Sequence, residues 1–130
     1  MNKNYIRIGI FSIEDVLSDI GPFWRNFDGK KVKMGSQRYE LFKNKGITCV
    51  NCGLEGKFFA LEKHKSKNDD IEDNISDSGY HFNLYGYNDE GKEVMLTKDH
   101  IIPKSKDGEN MLSNYQTMCY YCNHKKGNSL

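Results

Sequence analysis

Apolar positions divide the chain into short runs. YIRIGIF (5–11) alternates branched aliphatics with Arg and Gly, and KFFALEKH (57–64) is a compact apolar run. Both predict strands. YHFNLYGY (80–87) and KEVMLTKDH (92–100) flank the turn NDEG and predict a hairpin. FDGKKVKM (27–34), with Asp28-Gly29 at its centre, predicts a smaller one. SIEDVLSDI (12–20) reads as a short helix capped by Ser12, with acids in its first turn. SQRYELFKNKG (36–46) reads as a second helix, capped by Ser36 and ended by Gly46 in the left-handed conformation. KSKDGENMLSN (104–114) is a loop, YQTMC (115–119) a short strand or turn, and YYCNHKKGNSL (120–130) the start of a last helix. SKNDDIEDNISDSG (66–79), rich in Asp, Asn and Ser, predicts a mobile surface loop. No internal repeat interrupts this order.

At 130 residues, 37% hydrophobic and 28% charged, the chain suits one domain with a modest core that a staple would help. Its apolar runs are too short for a membrane-spanning helix, and MNKNYIRIGIFSIEDV lacks the apolar stretch of a signal peptide. The expected compartment is the cytoplasm, where cysteines stay reduced. The net charge of +1 is unevenly spread. Residues 1–68 carry 13 Lys/Arg against 7 Asp/Glu, residues 69–90 carry 7 acids and no base, and residues 91–130 carry 6 Lys against 4 acids. Away from the acidic middle, the balance favours a polyanionic partner.

The four cysteines fall into two pairs, Cys49-Val-Asn-Cys52 and Cys119-Tyr-Tyr-Cys122. Two intervening residues let both thiolates of a pair reach one tetrahedral ion from a tight turn, so the pairs predict a structural Zn²⁺ site. Gly53 suits the turn after the first pair. A reduced compartment argues against disulfides, and no βαβ pattern supports a redox pair.

Docking the second pair against the first brings Asn123 and His124 inward, toward Asp99-His100 at the end of a strand. Ile101 and Ile102 are expected in the core, with Pro103 ending the strand. A hard divalent cation wants oxygen ligands and keeps several waters, so Asp99 and Asn123 are its candidate ligands. His100 is then free to act as a base near neutral pH. Asn114 is the candidate for orienting it. Lys104, Lys106, Lys125 and Lys126 cluster near the same place, either as phosphate contacts or as plain surface charge.

The stretch DHIIPKSKDGENMLSNYQTMCYYCNHKKG (99–127), with Cys49 and Cys52, resembles the HNH endonucleases of the four-cysteine type, which have the ββα-metal (His-Me finger) fold. The matching elements are Asp99-His100 with Ile-Ile-Pro, Gly108 in the loop, Asn114, and the Cys-x-x-Cys-Asn-x-x-Lys-Gly ending. The resemblance implies that His100 is the general base and Asp99 a catalytic-metal ligand. It implies that Asn114 orients His100 and steadies the loop. Asn123 stands at the family's last metal-ligand position, and His124 beside it is the alternative. The implied cofactors are structural Zn²⁺ and a catalytic Mg²⁺, Mn²⁺ or other divalent cation. The implied reaction is phosphodiester hydrolysis leaving 5′-phosphate and 3′-hydroxyl ends, with one metal sufficient.

The expected fold is therefore α+β. A ββα-metal core stapled by a Cys₄ zinc site covers residues 49–130, with an inserted β-hairpin and the acidic loop 66–79. Residues 1–48 form an N-terminal α/β extension packed into the same compact unit. The substrate is expected to be nucleic acid, double-stranded DNA before RNA, and the source a phage or mobile element; monomer and homodimer stay open. Two other readings stand beside the nuclease: a catalytically silent zinc module that binds nucleic acid, and a small protein-binding adaptor or inhibitor using the acidic loop. Asp99, His100 and Asn114 together favour the first, since a silent module has no physical need for all three.

Overall fold

The computed structural model describes residues 4–65 and 79–129. The acidic loop predicted over 66–79 thus lies, except for Gly79, outside the described residues. In chain order the elements are β1 (Tyr5–Phe11), α1 (Ile13–Leu17), β2 (Trp24–Phe27), β3 (Lys30–Lys33), α2 (Gln37–Lys45), β4 (Phe58–His64), β5 (Tyr80–Tyr87), β6 (Glu93–His100), β7 (Tyr115–Cys119) and α3 (Tyr120–Lys126). Short 3₁₀ turns occupy Lys104–Lys106 and Leu112–Asn114. The fold is mixed α and β, dominated by a five-stranded antiparallel sheet of order β1-β4-β5-β6-β7. β2 and β3 pair separately. No helix among the described residues is long and apolar enough to cross a membrane.

Local chemistry explains most boundaries. Ser12 Oγ accepts from the Asp15 amide at 3.0 Å and Ser36 Oγ from the Arg38 amide at 3.2 Å, so each hydroxyl satisfies a donor that the first helical turn leaves orphaned. Asp28 and Gly29 both take positive φ, as the tight β2–β3 turn demands. Gly46 ends α2 at φ 107° and ψ 173°, outside the expected left-handed helical conformation but still at a positive φ that suits glycine.

One face of the sheet carries the main core. Phe59, Leu61, Phe82, Leu84 and Leu96 pack against Val16 and Leu17 of α1, Phe27 and Val32 of the small hairpin, and Tyr39, Leu41 and Phe42 of α2. Each such side chain contributes about 1.5–3 kcal/mol when fully buried. The Phe27 and Phe82 rings meet edge to face, 4.7 Å between centroids. The extra hairpin read between Cys52 and Asp99 is no appendage: β5 is the middle strand of the sheet, and β6 ends in Asp99-His100.

α2 also completes the sheet. The ladder between β5 and β6 covers Leu84 to Tyr87 only. Beyond it, Tyr39 Oη accepts from the Phe82 amide at 2.9 Å, and the Arg38 guanidinium donates to the Phe82 carbonyl at 3.0 Å and to Asn83 Oδ1 at 2.9 Å. Side chains of a helix thus pair a strand edge that would otherwise be buried unsatisfied. The opposite face buries Phe58, Ala60 and Tyr85 around a polar chain. There Glu62 is fully buried and accepts from Arg7 Nε, Asn83 Nδ2 and Tyr85 Oη at 2.8, 2.7 and 2.6 Å, while the rest of the Arg7 fork holds Glu93 at 2.8 and 3.0 Å.

Candidate functional site

The four thiols converge on one point, their ligand atoms all within 4.8 Å of one another. The Cys52 and Cys119 sulfurs are 3.8 Å apart, and none of the four cysteines is in a disulfide. Thiolates about 2.3 Å from a tetrahedral zinc lie about 3.8 Å from each other, so the set fits a four-sulfur metal site. Backbone bonds build it. Gly53, at φ 82°, turns the chain so that its amide donates to the Cys49 carbonyl at 3.0 Å. The Val50 amide donates to the Thr117 carbonyl at 3.0 Å, tying the first pair to β7. Burial works against ionising both inner thiols. At Cys49 the amides of Cys119, Cys52 and Asn51 outweigh it and bring the thiol down to about 7, whereas burial pushes Cys119 up to about 12.

Beyond the thiols, β6 and β7 pair in register, Asp99 opposite Gln116 and His100 opposite Tyr115, and α3 follows directly from β7. Asp99, His100 and Asn123 line one cavity of about 240 Å³, together with Lys98, Lys104 and Lys126. Asp99 is its one acid, buried and bonded to Gln116 Nε2 at 2.9 Å, with Lys126 Nζ at 3.2 Å. Lys126 also donates to the His100 carbonyl at 2.8 Å. The His100 ring sits edge-on to Tyr115, 5.0 Å between centroids, and its Nε2 lies 2.8 Å from Asn110 Oδ1. An amide oxygen only accepts, so Nε2 carries the proton and a neutral ring keeps Nδ1 as its base. Thr97 spends its hydroxyl proton on the Met118 carbonyl at 2.7 Å, so it can only accept from Asn123 Nδ2 at 2.8 Å. That fixes the amide and leaves Asn123 Oδ1 without a partner among the described residues. Two oxygen donors at a cavity wide enough for water suit a hard divalent cation that keeps part of its hydration.

Residues 86–129 match the HNH endonuclease family. The HNH segment begins within β5 and holds the β6–β7–α3 unit, Cys119 and Cys122; Cys49, Cys52 and α2 lie before it. No curated protein and no solved structure matches the chain.

Within the HNH segment, Asn114 holds the connection between β6 and β7. It is buried, accepts from the Ile102 amide at 2.9 Å, and donates to the carbonyls of Ile102 and Glu109 at 3.0 and 2.9 Å. It makes no side-chain bond to His100 among the described residues; Asn110 is the amide that reaches the ring. Gly108 has no room for a Cβ, which would overlap the Ile102 carbonyl oxygen. Ile101 and Ile102 are 38% and 47% exposed, not core residues as expected. β6 has already ended at His100, and it is the Ile102 main chain, not its side chain, that Asn114 grips.

Of the four lysines nominated from sequence, Lys104 and Lys126 line the cavity, while Lys106 and Lys125 are exposed outside its lining. His124 also lies outside it, exposed and stacked on Tyr120 with 5.8 Å between centroids. The sequence reading missed Asn110, Gln116, Thr97 and Lys98. Each acquires its place from strand register or loop closure, and none carries a spacing signal.

Proposed function

We propose that this chain is a metal-dependent endonuclease with a ββα-metal core that hydrolyses phosphodiester bonds in DNA. The observation that carries the reading is a small cavity where a buried carboxylate, an imidazole and an amide oxygen, the last two with Nδ1 and Oδ1 unpartnered among the described residues, meet three lysines. Nδ1 of His100 takes a proton from water, and the resulting hydroxide attacks phosphorus as the bond to the 3′ oxygen breaks. Asn110 and Tyr115 hold the ring in the tautomer and orientation this needs. Lys98, Lys104 and Lys126 draw in the phosphate and balance its charge. Asp99 and Asn123 would hold a Mg²⁺ or Mn²⁺ ion, which supplies Lewis-acid stabilisation of the phosphate and leaving oxygen. The four thiols would hold a structural Zn²⁺.

The Lys126 ammonium beside Asp99 favours a second reading. An internal cation already neutralises that carboxylate, as a silent nucleic-acid-binding zinc module would allow. Plasmid nicking with added Mg²⁺ or Mn²⁺ separates the two. Wild type is expected to nick, and His100→Ala to lose at least about 100-fold in rate with its zinc content unchanged. Binding without nicking in the wild type, or equal nicking by both proteins, overturns the nuclease reading.

A further inference from the structure

A cavity of about 860 Å³ is lined by residues that the HNH match does not cover and by none of the four cysteines. Its walls come from the small hairpin, the start of α2 and the start of β5. Three features set it apart. It exposes aromatic surface: Phe23 is 38% and Trp24 55% exposed. Lys33, Arg38 and His81 line it, and no carboxylate does so among the described residues. Trp24 also borders a second recess of about 420 Å³ that includes Lys31. The Lys33 ammonium lies 5.1 Å from the Trp24 ring centroid.

The cleft is tied to the HNH cavity through adjacent residues. Arg38 lines the cleft. Gln37, one residue earlier, accepts from Tyr115 Oη at 2.9 Å and from Lys98 Nζ at 3.1 Å, and its own amide reaches the Asn110 carbonyl at 3.4 Å. Tyr115 and Asn110 are the residues that hold the His100 ring, and Lys98 lines its cavity. The first turn of α2 therefore lines the cleft and braces the residues that hold His100.

We infer that the Phe23–Trp24–Lys33–Arg38 cleft binds an unpaired nucleobase and its phosphate from the strand being cut. Flat exposed rings accept any base by stacking, and adjacent cations accept the backbone. The inference deepens the nuclease reading by giving the phosphate cavity a base-holding neighbour. The substrate class becomes nucleic acid with locally unpaired nucleotides, such as a single strand, a frayed end or a distorted duplex.

Trp24 is the sole tryptophan, so its fluorescence reports on this cleft and the recess beside it, and the Phe23 and Lys33 variants assign the signal to the cleft. The full chain carrying His100→Ala, with no added divalent cation, keeps bound strands intact during titration. A short oligothymidylate is expected to quench Trp24 saturably, more tightly than a fully paired duplex, while an abasic strand of the same length leaves the emission unchanged. Phe23→Ala and Lys33→Glu are both surface changes, and each is expected to weaken half-saturation by about tenfold. Absence of quenching would return the cleft to a protein partner or a second copy of the chain and overturn the inference. Equal quenching by the abasic strand, or unaltered binding in both variants, overturns it too. A chain that nicks plasmid yet shows no quenching loses the cleft alone; one that quenches but never nicks loses the nuclease reading alone.

Discussion

Asn114 shows how one side chain can set a site without touching the reacting groups. Its amide answers one backbone donor and two carbonyls of the loop after His100. Asn114→Ala leaves these groups short of partners at a cost of about 1–3 kcal/mol. It is expected to lower the thermal midpoint and, by displacing the His100 loop, to reduce plasmid nicking by about 100-fold. Asn114→Asp keeps the acceptor for the Ile102 amide but loses both donors, and should fall between the two in calorimetry and in rate. Asp99, His100, Asn114 and Asn123 were nominated through the family resemblance around the second cysteine pair, and the fold brings Asp99, His100 and Asn123 to one cavity. Asn110 was not nominated, because its bond to His100 exists only once the loop has closed. Lys126 is in sequence terms either a phosphate contact or plain surface charge, and its ion pair with Asp99 appears only when α3 packs on β6.

At the scale of elements, the apolar spacing and the Ser and Gly signals place most strands and helices, while β2 reaches back to Trp24, before the predicted hairpin, and YQTMC, open between strand and turn, is β7. These signals did not announce the polar chain across β1, β4, β5 and β6. An acid in KFFALEKH carries no mark of its partner, since Arg7 lies 55 residues away and meets it only through the β1–β4 pairing. Arg7→Met leaves the fully buried Glu62 without its cation, and should destabilise by about 3 kcal/mol in urea unfolding. Replacing both Arg7 and Glu62 with apolar residues should cost less than that single change. Arg7 also holds the Glu93 carboxyl below its ordinary range, chiefly through their hydrogen bond. A depressed folded value contributes stability above the ordinary carboxylate value and loses it as pH falls through the lowered one. The stability gap between wild type and Glu93→Gln, read as urea midpoints, is therefore expected to be widest near neutral pH and to close on acidification.

For the whole molecule, the thiol cluster joins the turn before β4 to the far end of β7, across the end of the intervening strands. Structural zinc contributes on the order of 10–16 kcal/mol in small peptides, comparable with the whole stability of a domain this size. Purified protein is expected to hold one zinc per chain by elemental analysis. A strong chelator should abolish its cooperative thermal transition, read by circular dichroism, together with nicking. Cys52→Ser should bind zinc more weakly yet keep the strand signal when zinc is in excess.

A filled clamp also makes a ring of the chain from Cys49 to Cys122, with Asp99, His100 and Asn114 inside it. Stretched by its two ends in an optical trap, such a molecule could lengthen only through the segments outside the ring, β1 to α2 on one side and the tail on the other. The contour released before the metal lets go would then be short, and the nuclease loop would feel no tension until it did.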